Sequence, residues 1–144
     1  MPLDFDRVKH YFNLRYKHDL TWQDASFWYT PYVVEEDDEE DEDVLAARLT
    51  AEGTVKVTAR GAACGKGCCG LVHRRYEFPL TDLDRSDEDL IAEFEATSKA
   101  YASALEAEAA ERARVAAEKK EKAERAELAR LLAKYGVPEG SSPV

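Results

Sequence analysis

TVKVTARGAACGKGCCGLVHRRYEF, residues 54–78, decides the fold. Its first seven residues alternate, with Val55, Val57 and Ala59 on one side and Thr54, Lys56, Thr58 and Arg60 on the other. That is the period of a strand with one buried face. Its last eight residues read as a further strand, in which Val72, Arg74, Tyr76 and Phe78 share a side. The Gly/Cys-rich stretch 61–70 between them is a hairpin loop. Immediately upstream, VLAARLTA (44–51) and the turn residues Glu52-Gly53 add a hairpin partner. Further back, SFWYTPYVV (26–34) reads as a strand, with Phe27, Tyr29 and Val33 alternating and Pro31 confining it to an edge.

Helices flank this sheet. Phe5, Val8, Phe12 and Tyr16 recur at helical spacing over residues 4–18, with Asp4 placed to cap. Nine of the fourteen aromatic residues fall in the first 32 positions, so this region supplies much of the core. After Pro79, Ser86 with Asp89 three residues later forms a capping pattern, and Asp87, Glu88 and Asp89 suit the positive end of a helix dipole. Neither Gly nor Pro intervenes before Gly136, and Arg130 and Lys134 mark the last turn. The fold class that follows is α+β: an N-terminal helix, a small antiparallel sheet of three to four strands with a Gly/Cys-rich hairpin loop, and a long charged C-terminal helix. Residues 1–85 form the small domain, 86–135 the helix and 136–144 a tail.

The helix is not uniform along its length. Leu90, Ile91, Phe94, Tyr101 and Leu105 form a stripe that is expected to pack on the sheet. Residues 106–127 hold eight alanines, thirteen charged residues and one valine, so helix propensity and acid-first pairs such as Glu108–Arg112, Glu118–Lys122 and Glu121–Arg125 must carry them. Leu128, Leu131, Leu132 and Tyr135 then form an apolar end. Fifty helical residues span ~75 Å, against ~30 Å for the domain before them. The helix therefore either projects or breaks and folds back, and its apolar end needs a cover: a second copy, another protein or its own domain.

A net charge of −10 arises almost wholly from one run of nine acids, Glu35, Glu36, Asp37, Asp38, Glu39, Glu40, Asp41, Glu42 and Asp43. Nine like charges favour neither helix nor strand, so the run reads as an exposed acidic loop suited to docking on a basic surface. Arg48, Lys56, Arg60, Lys66 and Arg75 make the neighbouring segment basic, which leaves nucleic-acid binding as an alternative function.

The loop itself holds the chemistry-bearing residues. Cys64, Cys68, Cys69 and His73 are candidate metal or redox groups, thiolate and imidazole being suited to zinc. The spacing is against a single site: every ligand lies within ten residues, and adjacent Cys68 and Cys69 are expected to diverge. Free thiols without a cofactor are the simpler expectation. The Gly65-x-Gly67-x-x-Gly70 pattern lacks the lysine and catalytic loop of a kinase, and no helix follows it as dinucleotide binding requires. Nothing in the sequence places Cys69 beside His10 or His18 for catalysis, so no enzyme is expected. Three clustered cysteines, no apolar span and no secretory leader argue for a reducing, cytoplasmic setting without membrane insertion. The function expected is a non-enzymatic interaction or regulatory protein, working through the C-terminal helix and acidic loop on a protein partner or a second copy. A thiol redox or zinc protein is a further alternative.

Overall fold

The computed structural model describes residues 3–36 and 44–136. Helix α1 (Phe5–His18) begins where the Asp4 carboxylate accepts the Arg7 N–H at 3.3 Å. It buries Val8, Tyr11 and Phe12, while Phe5 and Tyr16 pack partly buried against the same core. Tyr11 is an addition to the stripe the spacing predicts. Its ring stacks on Phe78 at 4.1 Å between centroids and meets Phe94 edge-on at 5.7 Å. Its hydroxyl donates to Asp82 at 2.7 Å and accepts from Arg15 at 2.8 Å. Burial, followed by the bond to Asp82, holds this phenol well above its ordinary pKa.

Asp19 ends α1 and is fully buried. A buried carboxylate is costly unless paired and hydrogen-bonded. Asp19 meets both conditions: it accepts from Arg15 Nε at 3.0 Å and from the Thr21 N–H at 2.9 Å. The Arg15 guanidinium in turn lies over Trp22, 4.3 Å from its ring centre.

The strands are β1 (Tyr32–Val33), β2 (Arg48–Leu49), β3 (Thr54–Ala62) and β4 (Leu71–Pro79). All pairings are antiparallel. β4 runs along one edge of β3 for its whole length, from Thr54↔Pro79 to Ala62↔Leu71. β1 and β2 share the other edge at opposite ends, with Tyr32 opposite Arg60 and Arg48 opposite Lys56. They occupy the same edge of β3 and are separated in sequence by residues 34–47. The α+β expectation and the four-stranded sheet are thus observed. The edge strands are much shorter than the alternation over 26–34 and 44–51 predicts. Residues 26–30 turn instead, with Phe27 buried and Trp28 and Tyr29 exposed, and Val34 and Val44 are both buried, which alternation alone does not foresee. Arg74 lies on the same side of β4 as Tyr76 and Phe78, as the alternation predicts, opposite Ala59; it is exposed and donates to Asp24 at 2.7 Å.

A short 3-10 turn at Leu80–Asp84 leads to α2 (Asp87–Tyr135). Arg7 ties this connection to α1, donating to the Leu83 and Arg85 carbonyls at 2.8 and 2.9 Å. Ser86 caps α2 by accepting the Asp89 N–H at 3.2 Å. Leu90 and Phe94 enter the core formed by α1 and the inward side of β3, where Val55, Val57 and Ala59 point. Ser98 bonds the end of α1, donating to the His18 carbonyl at 2.7 Å and accepting the Leu20 N–H at 2.8 Å. The expected packing stripe stops earlier than predicted: Ile91 is half-buried, and Tyr101 and Leu105 are exposed. The chain divides into two compact units between Tyr101 and Ala102, inside α2.

Candidate functional site

Two groups of chemistry-bearing residues stand out, one at the tip of the β3–β4 hairpin and one on the second unit. The tip is shaped by close approach and by glycine. The Trp28 N–H donates to the Ala62 carbonyl at 2.8 Å, laying the indole on the loop. A Cβ on Gly65 would stand 2.6 Å from its Nε1, so any larger residue there would displace the indole. Gly67 and Gly70 take φ of +72° and +81°, in the left-handed region that glycine enters freely. The Ala63 N–H closes the loop on the Gly70 carbonyl at 3.1 Å.

This path brings Cys64, Cys68 and Cys69 together. Their three Sγ atoms lie within 4.8 Å of one another, with Cys64–Cys68 at 3.5 Å and Cys68–Cys69 at 3.8 Å. The divergence expected of Cys68 and Cys69 does not occur, because they lie in turn backbone and not in a strand. Cys64 is half-buried and the other two are exposed, and all three are free thiols. The Cys64 thiol is lowered to about 6. The main cause is a hydrogen bond from the Cys69 thiol, followed by the backbone N–H groups of Cys69 and Lys66 and the Cys68 thiol. Cys69, as the donor to Cys64, is pushed up. Cys64 is therefore largely thiolate at neutral pH.

His73 does not join the sulfur cluster. It is paired across the ladder with Arg60, whose Nε donates to His73 Nε2 at 2.8 Å. Arginine has no acceptor, so that bond requires the lone pair of Nε2. Among the basic residues, Arg48, Lys56 and Arg75 line one shallow depression together with Glu77. Arg60 is engaged with His73, and Lys66 is exposed at the hairpin tip. Of the acidic run, Glu35 and Glu36 are described and exposed, and Glu35 pairs with Lys9 at 2.5 Å. Asp37, Asp38, Glu39, Glu40, Asp41, Glu42 and Asp43 lie outside the described residues.

The second unit holds the remainder of α2. The helix is unbroken to Tyr135, and every residue from 103 to 136 is exposed. Arginine–glutamate pairs line it: Glu108–Arg112 at 3.3 Å, Glu111–Arg114 at 2.6 Å, Arg114–Glu118 at 2.6 Å and Glu121–Arg125 at 2.5 Å. Glu118 pairs backward with Arg114, not forward with Lys122. Leu128, Leu131, Leu132 and Tyr135 are 58, 38, 43 and 72% exposed. Their offsets of 0, 3, 4 and 7 place them on one side of the helix. Lys134 Nζ sits over the Tyr135 ring, 5.1 Å from its centre.

Among the described residues, no helix is long and apolar enough to cross a membrane. No protein-family model, curated protein or solved structure matches the chain.

Proposed function

We propose that this is a non-enzymatic interaction protein whose working element is the C-terminal end of α2, presented to an apolar groove on a partner protein. The observation that carries the reading is the exposed set Leu128, Leu131, Leu132 and Tyr135. The i, i+3, i+4, i+7 pattern is the anchor set by which an amphipathic helix is read in a groove. Single exposed leucines need no explanation, whereas a contiguous group does. The alanines and ion pairs before it keep the segment helical without tertiary support, so little ordering cost remains to oppose binding.

A groove suits this end better than a second copy of the helix. The apolar stripe is two turns long, and Glu121, Glu124 and Arg125 precede it, so a helix pair would bury only four apolar side chains per chain. A stable interface buries about 1,200–2,000 Å² in total. A groove surrounds the helix and covers more of each residue. The nine acids at 35–43 would add a salt-sensitive contact to a basic partner surface.

The test compares the wild-type chain with Leu128→Asp and Leu131→Asp, both checked for unchanged circular dichroism. The expectation is a monomer by size exclusion with light scattering, and partners that are captured by wild type and lost by both variants. A dimer that either variant dissociates would replace the partner groove with a second copy. Capture that ignores both substitutions, from a monomer, would overturn the proposal.

A further inference from the structure

We propose that the β3–β4 hairpin tip is a metal site, in which Cys64, Cys68 and Cys69 of one chain together bind a single thiophilic closed-shell cation, Zn2+ or Cu+. The argument is independent of the helix and begins with sulfur spacing. A zinc–thiolate bond is about 2.3 Å, so thiolates at the corners of a tetrahedron around zinc lie about 3.8 Å apart. Three-coordinate Cu+ with bonds of similar length spreads its sulfurs slightly further, to about 4 Å. The observed separations are 3.5 Å, 3.8 Å and no more than 4.8 Å. An ion can therefore reach all three sulfurs with side-chain adjustments of at most about 1 Å.

The surroundings fit a thiolate centre. The Gly67 N–H donates to the Cys64 carbonyl at 3.3 Å and the Ala63 N–H to the Gly70 carbonyl at 3.1 Å, which fixes the backbone that carries the sulfurs. The loop path that converges the sulfurs depends on glycines at positive φ (Gly67 and Gly70) and on Gly65 beneath Trp28. Thiolate ligands select soft cations and leave Mg2+ and Ca2+ to oxygen sites. With His73 held by Arg60, the hairpin tip offers three ligands among the described residues. Cu+ is satisfied by three, whereas Zn2+ would keep a fourth, solvent-facing position for water or an added ligand.

Coordination involves no electron transfer. Each sulfur binds as thiolate, so any proton still on sulfur leaves as its lone pair passes to the metal.

The experiment titrates the reduced full-length chain, under argon, with Co2+ as a spectroscopic stand-in for zinc, then with Zn2+ and with Cu+ against chromophoric chelators. The expected result is one ion per chain and a sulfur-to-cobalt charge-transfer band. Cys64→Ser, Cys68→Ser and Cys69→Ser should each weaken binding by at least about tenfold, as loss of a ligand must exceed the loss of an outer hydrogen bond. His73→Ala should bind as wild type does. Fluorescence from the buried Trp22 checks that each variant is folded. Tighter binding of Cu+ or of Zn2+, relative to the competing chelator, identifies which cation the site takes. The proposal is overturned if neither cation gives a complex at one per chain, if any one Cys→Ser variant binds like wild type, or if one ion requires two chains.

Discussion

Leu90→Ala and Leu132→Ala make the same chemical change on the same helix, and the structure assigns them very different costs. Leu90 is 0% exposed in the core with Tyr11, Phe78 and Phe94, whereas Leu132 is 43% exposed. Truncating a fully buried leucine removes its transfer free energy and leaves a cavity, together about 2–5 kcal/mol. The first unit contains about a hundred residues. At that size each kcal/mol lowers Tm by about 4–8 °C, so Leu90→Ala should lower it by at least about 8 °C. Leu132→Ala should stay within about 0.5 kcal/mol. The assay is thermal and urea unfolding, each followed by tryptophan fluorescence. Trp22 is 7% exposed and reports the core, and Trp28 at 64% contributes a nearly constant background. Circular dichroism is the wrong probe here, because the exposed part of α2 contributes helical signal without sharing the core. Equal losses for the two variants would refute the assignment of α2 into a packed start and an exposed end. A loss at Leu132 that grows with protein concentration would show that end covered by a second chain.

Asp19→Ala should destabilise by about 3–5 kcal/mol, because it leaves the Arg15 guanidinium without its buried partner, and the same urea titration measures it. Gly61→Ala should cost about 1–3 kcal/mol, since the added Cβ would stand 2.4 Å from the buried Phe27 ring; thermal melting checks this. Cys64 is the thiol lowered to about 6, so iodoacetamide labelling of Cys64 in the native, metal-free chain should rise as pH increases through about 6 and then level off. In urea the rise should move to the ordinary thiol range of about 8.5, and identical native and unfolded profiles would contradict the Cys64 geometry. The ion pairs along 102–135 are each worth about 0.2–0.5 kcal/mol at low salt, so ~1 M NaCl should reduce the 222 nm helical signal while leaving Trp22 fluorescence unchanged.

Legibility followed locality. α1, the β3–β4 hairpin and the long helix could be read because each is fixed by its own period and caps: Asp4, Ser86 and Gly136 are local signals. The edge strands could not be read to length, since Phe27, Val34 and Val44 are buried by neighbours distant in sequence. Tyr11 was missed beside Phe12 because its acceptability in the core depends on Asp82, 71 positions away. The cysteines were visible as a group, but their convergence was not. Alternation, which would separate Cys68 from Cys69, holds only in strands, and nothing local announces the turn that unites them. The end of the apolar packing of α2 at Phe94 was equally hidden: Tyr101 and Leu105 continue the stripe in sequence but are exposed.

The shared edge of β3 has a consequence for how this chain can vary. β1 and β2 each hold their own register on β3, four residues apart along it, so the chain between them is clamped at both ends. Closing a longer connection costs only about 0.6 kcal/mol per doubling of its length. Residues could be inserted between Glu36 and Val44, leaving the buried Val34 and Val44 in place, to carry an epitope, a fluorophore acceptor or a protease site without shifting a single rung of the sheet. The gap between β1 and β2 makes this edge a natural insertion port, and the place where related chains should tolerate the greatest divergence in length.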